Sequence, residues 1–142
     1  MSTRSKNSYE VLAQKDHTQL RISATTIEDV FREALRGLAA VLHRGYAHTC
    51  VTPVEVPIKI SSVDVSSLLV DFLSEVLYQS EAHQVIFTEL RIKHFTNMEI
   101  SCEIQGCSVV RFERPVKLVS YEAARFLRGE DNKWHAAVSL EL

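Results

Sequence analysis

The chain is short of glycine, proline and cysteine, and each shortage removes a class of protein. Four glycines, Gly37, Gly45, Gly106 and Gly129, stand far apart in 142 residues, so no glycine-rich loop is available to wrap a phosphate. Three cysteines, Cys50, Cys102 and Cys107, make no even disulfide framework and lack the Cys-x-x-Cys spacing of a zinc ribbon. The simplest reading is reduced thiols in a cytoplasmic protein. No apolar run approaches the ~18 residues of a membrane helix, and no hydrophobic segment follows the polar start MSTRSKNS, so neither a span nor a leader is expected. Charge of one sign is missing too: 16 Lys and Arg face 18 Asp and Glu, for a net charge of −2. A surface that binds nucleic acid by charge alone is therefore not expected. The serine-elbow, zinc-helix and EF-hand patterns are absent as well.

What remains is a chain rich enough in apolar residues (46%) to build one domain without metal or disulfide. Residues 1–8 read as a disordered polar arm and 9–142 as a single domain. Tyr9–Gln14 and Thr18–Ala24 are strand candidates, forming a hairpin or one bent strand. Thr25 and Thr26 precede Ile27-Glu28-Asp29, a helix start with a threonine cap and acids in the first turn. From there Ile27, Val30, Phe31, Ala34, Leu35, Leu38 and Leu42 recur at steps of three and four, one apolar helix face that stops at Gly45. Val54, Val56, Ile58 and Ile60 alternate, so 53–61 is a strand, and Pro53 and Pro57 favour an edge position or ragged pairing. A second helix over about 65–81, capped by Ser62 or Asp64, turns Val65, Leu68, Leu69, Phe72, Leu73, Val76 and Leu77 to the core and leaves Asp71 and Glu75 in solvent. Strands follow over 85–95, 98–104 (closed by Gly106) and 116–127, with 109–115 irregular. The turn Gly129-Glu130-Asp131-Asn132 leads into a last strand, 133–142. In that strand Trp134, Ala136, Val138 and Leu140 alternate with His135, Ala137, Ser139 and Glu141. The fold class is α+β: a mostly antiparallel sheet with two amphipathic helices packed on one face.

Spacing alone nominates few chemical sites. The terminal carboxylate of Leu142 and the Glu141 side chain put two oxygen donors at one strand end, a cation site or a solvated end. Asp16–His17 falls between two short strands, as a polar corner or a surface turn. His43, His48 and Cys50 lie close in sequence, without the second cluster a zinc site needs. Cys102 and Cys107 read as packed thiols. Arg111, Arg114 and Lys117, with Arg125 and Arg128 nearby, read as a solvated strand edge or a nucleic-acid patch.

Several strings in fixed order then resemble the archease family, across nearly the whole chain from Tyr9. They are Tyr9-Glu10-Val11-Leu12, Arg21, and Thr26-Ile27-Glu28-Asp29-Val30-Phe31. Leu68–Tyr78, the run Val116-Lys117-Leu118-Val119-Ser120-Tyr121-Glu122, and Trp134 through Val138-Ser139-Leu140-Glu141-Leu142 continue the pattern. The resemblance implies a strand-helix-strand-strand fold and a non-catalytic accessory role toward an RtcB-class RNA ligase in tRNA splicing or RNA repair, promoting its guanylylation. It also implies a calcium ion held by acids near the first strands and at the C-terminus. On this chain His17 stands where the family has its metal-binding Asp, with Asp16 one position away. Glu141 stands where the family has a penultimate Asp, and Leu142 supplies the carboxylate. Lys117 matches a family lysine, and Glu122 replaces a histidine; both are taken as partner-binding. The family's histidine between Gly106 and Val116 is missing. Exchanging a carboxylate for imidazole disfavours calcium, so the expected cofactor is zinc or manganese, or none. Two alternatives stand beside this reading: a metal-free protein-interaction or chaperone-like module, and a small-molecule-binding domain with a pocket between helices and sheet. An independent enzyme comes last, since no nucleophile–base pair is legible.

Overall fold

The computed structural model describes residues 7–14, 17–43 and 52–142. Seven strands and two helices are described: β1 (Ser8–Ala13), β2 (His17–Ala24), α1 (Ile27–Leu42), β3 (Pro53–Ser61), α2 (Val65–His83), β4 (Val85–Thr96), β5 (Glu99–Ser108), β6 (Leu118–Arg128) and β7 (Trp134–Glu141). The expected α+β class with antiparallel pairing is borne out. The strands divide between two sheets, β1-β2-β7-β6 and β3-β5-β4, all antiparallel. Alternation identifies strands but carries no mark of which sheet each one joins, so this division was not legible.

Local chemistry explains the helix starts. The Thr26 hydroxyl accepts from the Asp29 amide at 3.1 Å, and Asp64, not Ser62, caps α2 by accepting from the Ser67 amide at 2.8 Å. Each cap satisfies one of the amides that a helix start leaves without a partner. Helix α2 runs two residues past the expected Glu81 and ends at Gln84, whose φ of 55° lies in the left-handed region. The stop expected at Gly45 lies outside the described residues. So do residues 1–6 of the expected arm. Its last two residues belong to the fold: Ser8 opens β1, and the Asn7 side chain donates to Asp29 Oδ2 at 3.1 Å and accepts from the Thr25 amide at 3.0 Å.

Both helices touch both sheets. Helix α1 lies on β1, β2 and β4, while α2 lies on β6 and on the three strands of the second sheet. Phe31 of α1 stands at their junction. It is fully buried, and its ring meets Phe72 of α2 at 5.4 Å, Phe95 of β4 at 5.2 Å and Phe126 of β6 at 6.3 Å between centroids. The first two contacts are edge-on, the arrangement that ring quadrupoles favour. One side chain therefore joins both helices and both sheets.

Two elements depart from the reading by pattern. Strand β5 does not close at Gly106; it continues to Ser108, with Gly106 paired to Val54 on one side and Phe87 on the other. A Cβ there would lie 2.0 Å from the Ile86 carbonyl oxygen, so glycine marks a close strand approach beside the β4 irregularity rather than a strand end. Asp71 is not simply solvated: it accepts a hydrogen bond from the Tyr121 hydroxyl, tying α2 to β6, and that bond raises the Tyr121 pKa. The thiols also differ from expectation. Cys102 is a packed free thiol, but Cys107 is disulfide-bonded.

Two outcomes follow from the core. Phe31→Ala removes ring contacts to three other elements at once and should cost about 3–5 kcal/mol of unfolding free energy in urea denaturation; a loss below about 1 kcal/mol would contradict its placement. Burial, with the Glu103 charge adding to it, pushes the Cys102 thiol up to about 12. At pH 8 it should therefore resist iodoacetamide in the folded protein and react once urea unfolds the chain; labelling at the unfolded rate under native conditions would count against this.

Candidate functional site

The solvent face of the first sheet is set by register. Odd-numbered residues of β2 and β7 point away from the helices, and cross-strand partners line up in rungs. His17 faces Glu141, which faces Leu118; Gln19 faces Ser139, which faces Ser120; Arg21 faces Ala137, which faces Arg125; Ser23 faces His135, which faces Leu127. The opposite face of β7, with Ala136, Val138 and Leu140 buried, belongs to the core. The alternation read in the last strand thus holds.

The first rungs form a cavity of about 440 Å³ lined by His17, Lys117, Ser120, Glu122, Ser139, Glu141 and Leu142. Five of the six residues nominated from the sequence meet there. The sixth, Asp16, lies outside the described residues. His17 and Glu141 are direct cross-strand partners, a relation that puts Cβ atoms about 5 Å apart. Lys117 is brought alongside by its amide, which donates to the Glu141 carbonyl at 2.7 Å, while its neighbour Val116 is buried. Leu142 packs its side chain against the core, which anchors the end of the chain.

Glu122 arrives by a different device. Between Ser120 and Arg125 the β6–β7 register shifts, so four residues of β6 stand against Val138 alone. The Glu122 amide donates to Ser120 Oγ at 3.0 Å, a local turn that brings its carboxylate toward the cavity. The adjacent Tyr121 points the other way, to Asp71 of α2. Ser120 and Ser139 were not nominated. For Ser139 the signal was present, two residues before Glu141 on the same face; for Ser120 it was not, because the bulge resets the parity of β6.

Two other nominations separate. Of the basic run, Lys117 lines this cavity and Arg125 faces solvent two rungs along from Glu141. Arg128 instead stacks over the Trp134 ring, 5.6 Å from its centroid. In the histidine and cysteine cluster, His48 and Cys50 lie outside the described residues.

The donors fit a calcium ion poorly. Among the described residues no group of three or more His, Cys, Asp or Glu side chains is placed to hold a metal ion. Lys117 adds an ammonium to the same cavity, and calcium takes about 6–8 oxygens. Calorimetry with calcium should accordingly show no binding tighter than millimolar; micromolar affinity lost in Glu141→Gln would contradict this assessment.

Comparison with known proteins agrees with the fold and the strings. The model of the Archease protein family matches residues 9–141. A protein archease of Methanosarcina barkeri is 29% identical over 150 residues, covering all of both chains, and that of Methanosarcina acetivorans is 26% identical, covering 94% of this chain and 95% of its own. The solution structure of protein 1598 of Methanobacterium thermoautotrophicum superposes with a TM-score of 0.70 at 21% identity, over 94% of this chain and 98% of that one. The crystal structure of an archease from Thermotoga maritima, described as a possible chaperone, gives 0.62 at 16% identity, over 92% and 96%. These two structures support the shared fold. With the family model spanning nearly the whole chain, this protein belongs to the archease family.

Proposed function

We propose that this chain is a non-catalytic accessory factor for an RtcB-class RNA ligase, promoting ligase guanylylation in tRNA splicing or RNA repair. Its altered terminal cavity is taken as the part that contacts the ligase. The observation that supports this most is the meeting of His17, Lys117, Glu122, Glu141 and Leu142 in one cavity. These are the positions that the archease resemblance marks, and they come from three strands and the chain end. A cavity with an ammonium on one side and carboxylates on the other suits docking against a charged partner, where complementarity sets orientation and rate of encounter.

The chaperone-like reading has one observation in its favour. Leu118 and Leu127 stand about half exposed (49% and 50%) on the same sheet face. A holding function would need such apolar contacts and no ligase.

Guanylylation of an RtcB-class ligase from the same source, measured with and without this protein, distinguishes the two. The accessory reading expects a faster reaction, with Lys117→Ala, Glu141→Gln, or a short C-terminal extension lowering the stimulation roughly tenfold or more. No stimulation, together with suppressed aggregation of unrelated unfolded chains, would overturn it in favour of the holding module.

A further inference from the structure

Beyond the terminal cavity the same sheet face changes character. Two rungs along, about 14 Å from Glu141 at ~3.4 Å per residue, Arg21 and Arg125 stand on either side of Ala137. Two strand spacings of ~4.8 Å set their backbones about 10 Å apart. Between them β7 contributes a methyl group, so the central strand forms the floor of a trough and the two arginines its walls. A cavity of about 210 Å³ lies there, lined by Arg21, Ile22, Arg125, Leu127, His135 and the β7 backbone around Ala137. It shares Arg21, Ile22 and His135 with a smaller hollow toward Tyr9 and Glu10.

The charge of these two guanidinium groups is left without a carboxylate partner among the described residues. Arg32, Arg36 and Arg91 each pair with a carboxylate, at 2.8, 2.9 and 3.3 Å. Among the described residues neither Arg21 nor Arg125 does. Glu10 is the cross-strand partner of Arg21, yet no ion pair joins them among the described residues. Arg21 Nε donates instead to Gln19 Oε1 at 3.0 Å, a neutral contact that fixes the root of the guanidinium without cancelling its charge. At the far end of the trough His135 is held by Asp131, 3.1 Å from Nε2. That carboxylate engages the imidazole and, through the Lys133 amide, its own turn. Two guanidinium groups without carboxylate partners, on either side of a small-residue floor, are complementary to a doubly charged, many-oxygen anion.

We propose that Arg21 and Arg125 form a phosphate subsite that takes a phosphate monoester or diphosphate group, with Leu127 and the β7 backbone bounding the space beside it. The subsite is separate from the terminal cavity, though both lie on the same face of β7. A ligand held at Arg21 and Arg125 would extend along Ala137 and Ser139 toward Lys117. A bridging phosphodiester, with a single charge and two free oxygens, binds less well than a terminal phosphate. The subsite belongs to the chain alone and does not depend on the ligase reading.

The test uses the whole chain in nitrogen-15 labelled form, at constant ionic strength, titrated in turn with inorganic pyrophosphate, AMP and adenosine. Pyrophosphate and AMP should produce saturable amide shifts centred on Arg21, Ile22, Ala136 and Ala137, and adenosine none. Arg21→Gln and Arg125→Gln should each weaken pyrophosphate binding roughly tenfold, the size expected for losing charged hydrogen bonds. Their spectra away from the trough should stay unchanged, since both side chains are exposed. Lys59→Gln, on the other sheet, should bind as the parent does. The proposal is overturned if shifts scatter over surface cations, if adenosine matches AMP, or if Lys59→Gln weakens binding as much as Arg125→Gln.

Discussion

The pairing of β7 between β2 and β6 is the constraint on which the rest depends. Each rung of the solvent face of the first sheet is a cross-strand neighbourhood created by that register: His17 beside Glu141, Arg21 and Arg125 beside Ala137. Side chains alternate with period two, so a slip of one residue would carry Glu141, Ser139 and Ala137 to the core and Leu140, Val138 and Ala136 to water. The burial of Leu140, Val138 and Ala136 against the helices forbids that slip. The core thus fixes the register, and the register composes the surface.

Helix packing reinforces this. Phe31 joins both helices to both sheets through three ring contacts, and Tyr121 ties the β6 bulge to Asp71 of α2. The bulge is a shared device. It sends Glu122 toward the terminal cavity and still returns Arg125 to a place opposite Ala137. Four residues accommodated against Val138 alone let one strand line two cavities of different charge, one with Glu122 and Lys117 and one with Arg125. Bulges beside binding sites commonly re-aim side chains in this way.

Much of this was legible in the chain because it rests on short-range chemistry. The threonine cap, which the structure assigns to Thr26 rather than Thr25, the apolar face of α1 and the alternation from Trp134 to Leu140 are local patterns. Pro53 and Pro57 pointed to an edge position or ragged pairing for β3, and it is an edge strand in regular register. The hairpin of β1 and β2 settles a choice that periodicity left open. What could not be read depends on distant partners. Gly106 resembles a strand end, but the Ile86 carbonyl opposite makes it a point of close approach. Asp71 sits at a solvent position of its helix and is claimed by Tyr121, 50 residues away. At the terminal cavity, His17, Lys117, Glu122, Glu141 and Leu142 were found through resemblance to a family pattern. Ser120 was hidden by the bulge, and the arginine trough by a register that pairs three strands.

Under the proposed function, one face of the first sheet, β1-β2-β7-β6, would meet the ligase. Hydrogen–deuterium exchange of the protein, alone and mixed with an RtcB-class ligase from the same source, tests this most directly. Amides of 17–21, 117–125 and 135–142 should gain protection on mixing, while those of β3, β4 and β5 exchange as before. Protection confined to β3–β5, or none at concentrations where the ligase is stimulated, would contradict it.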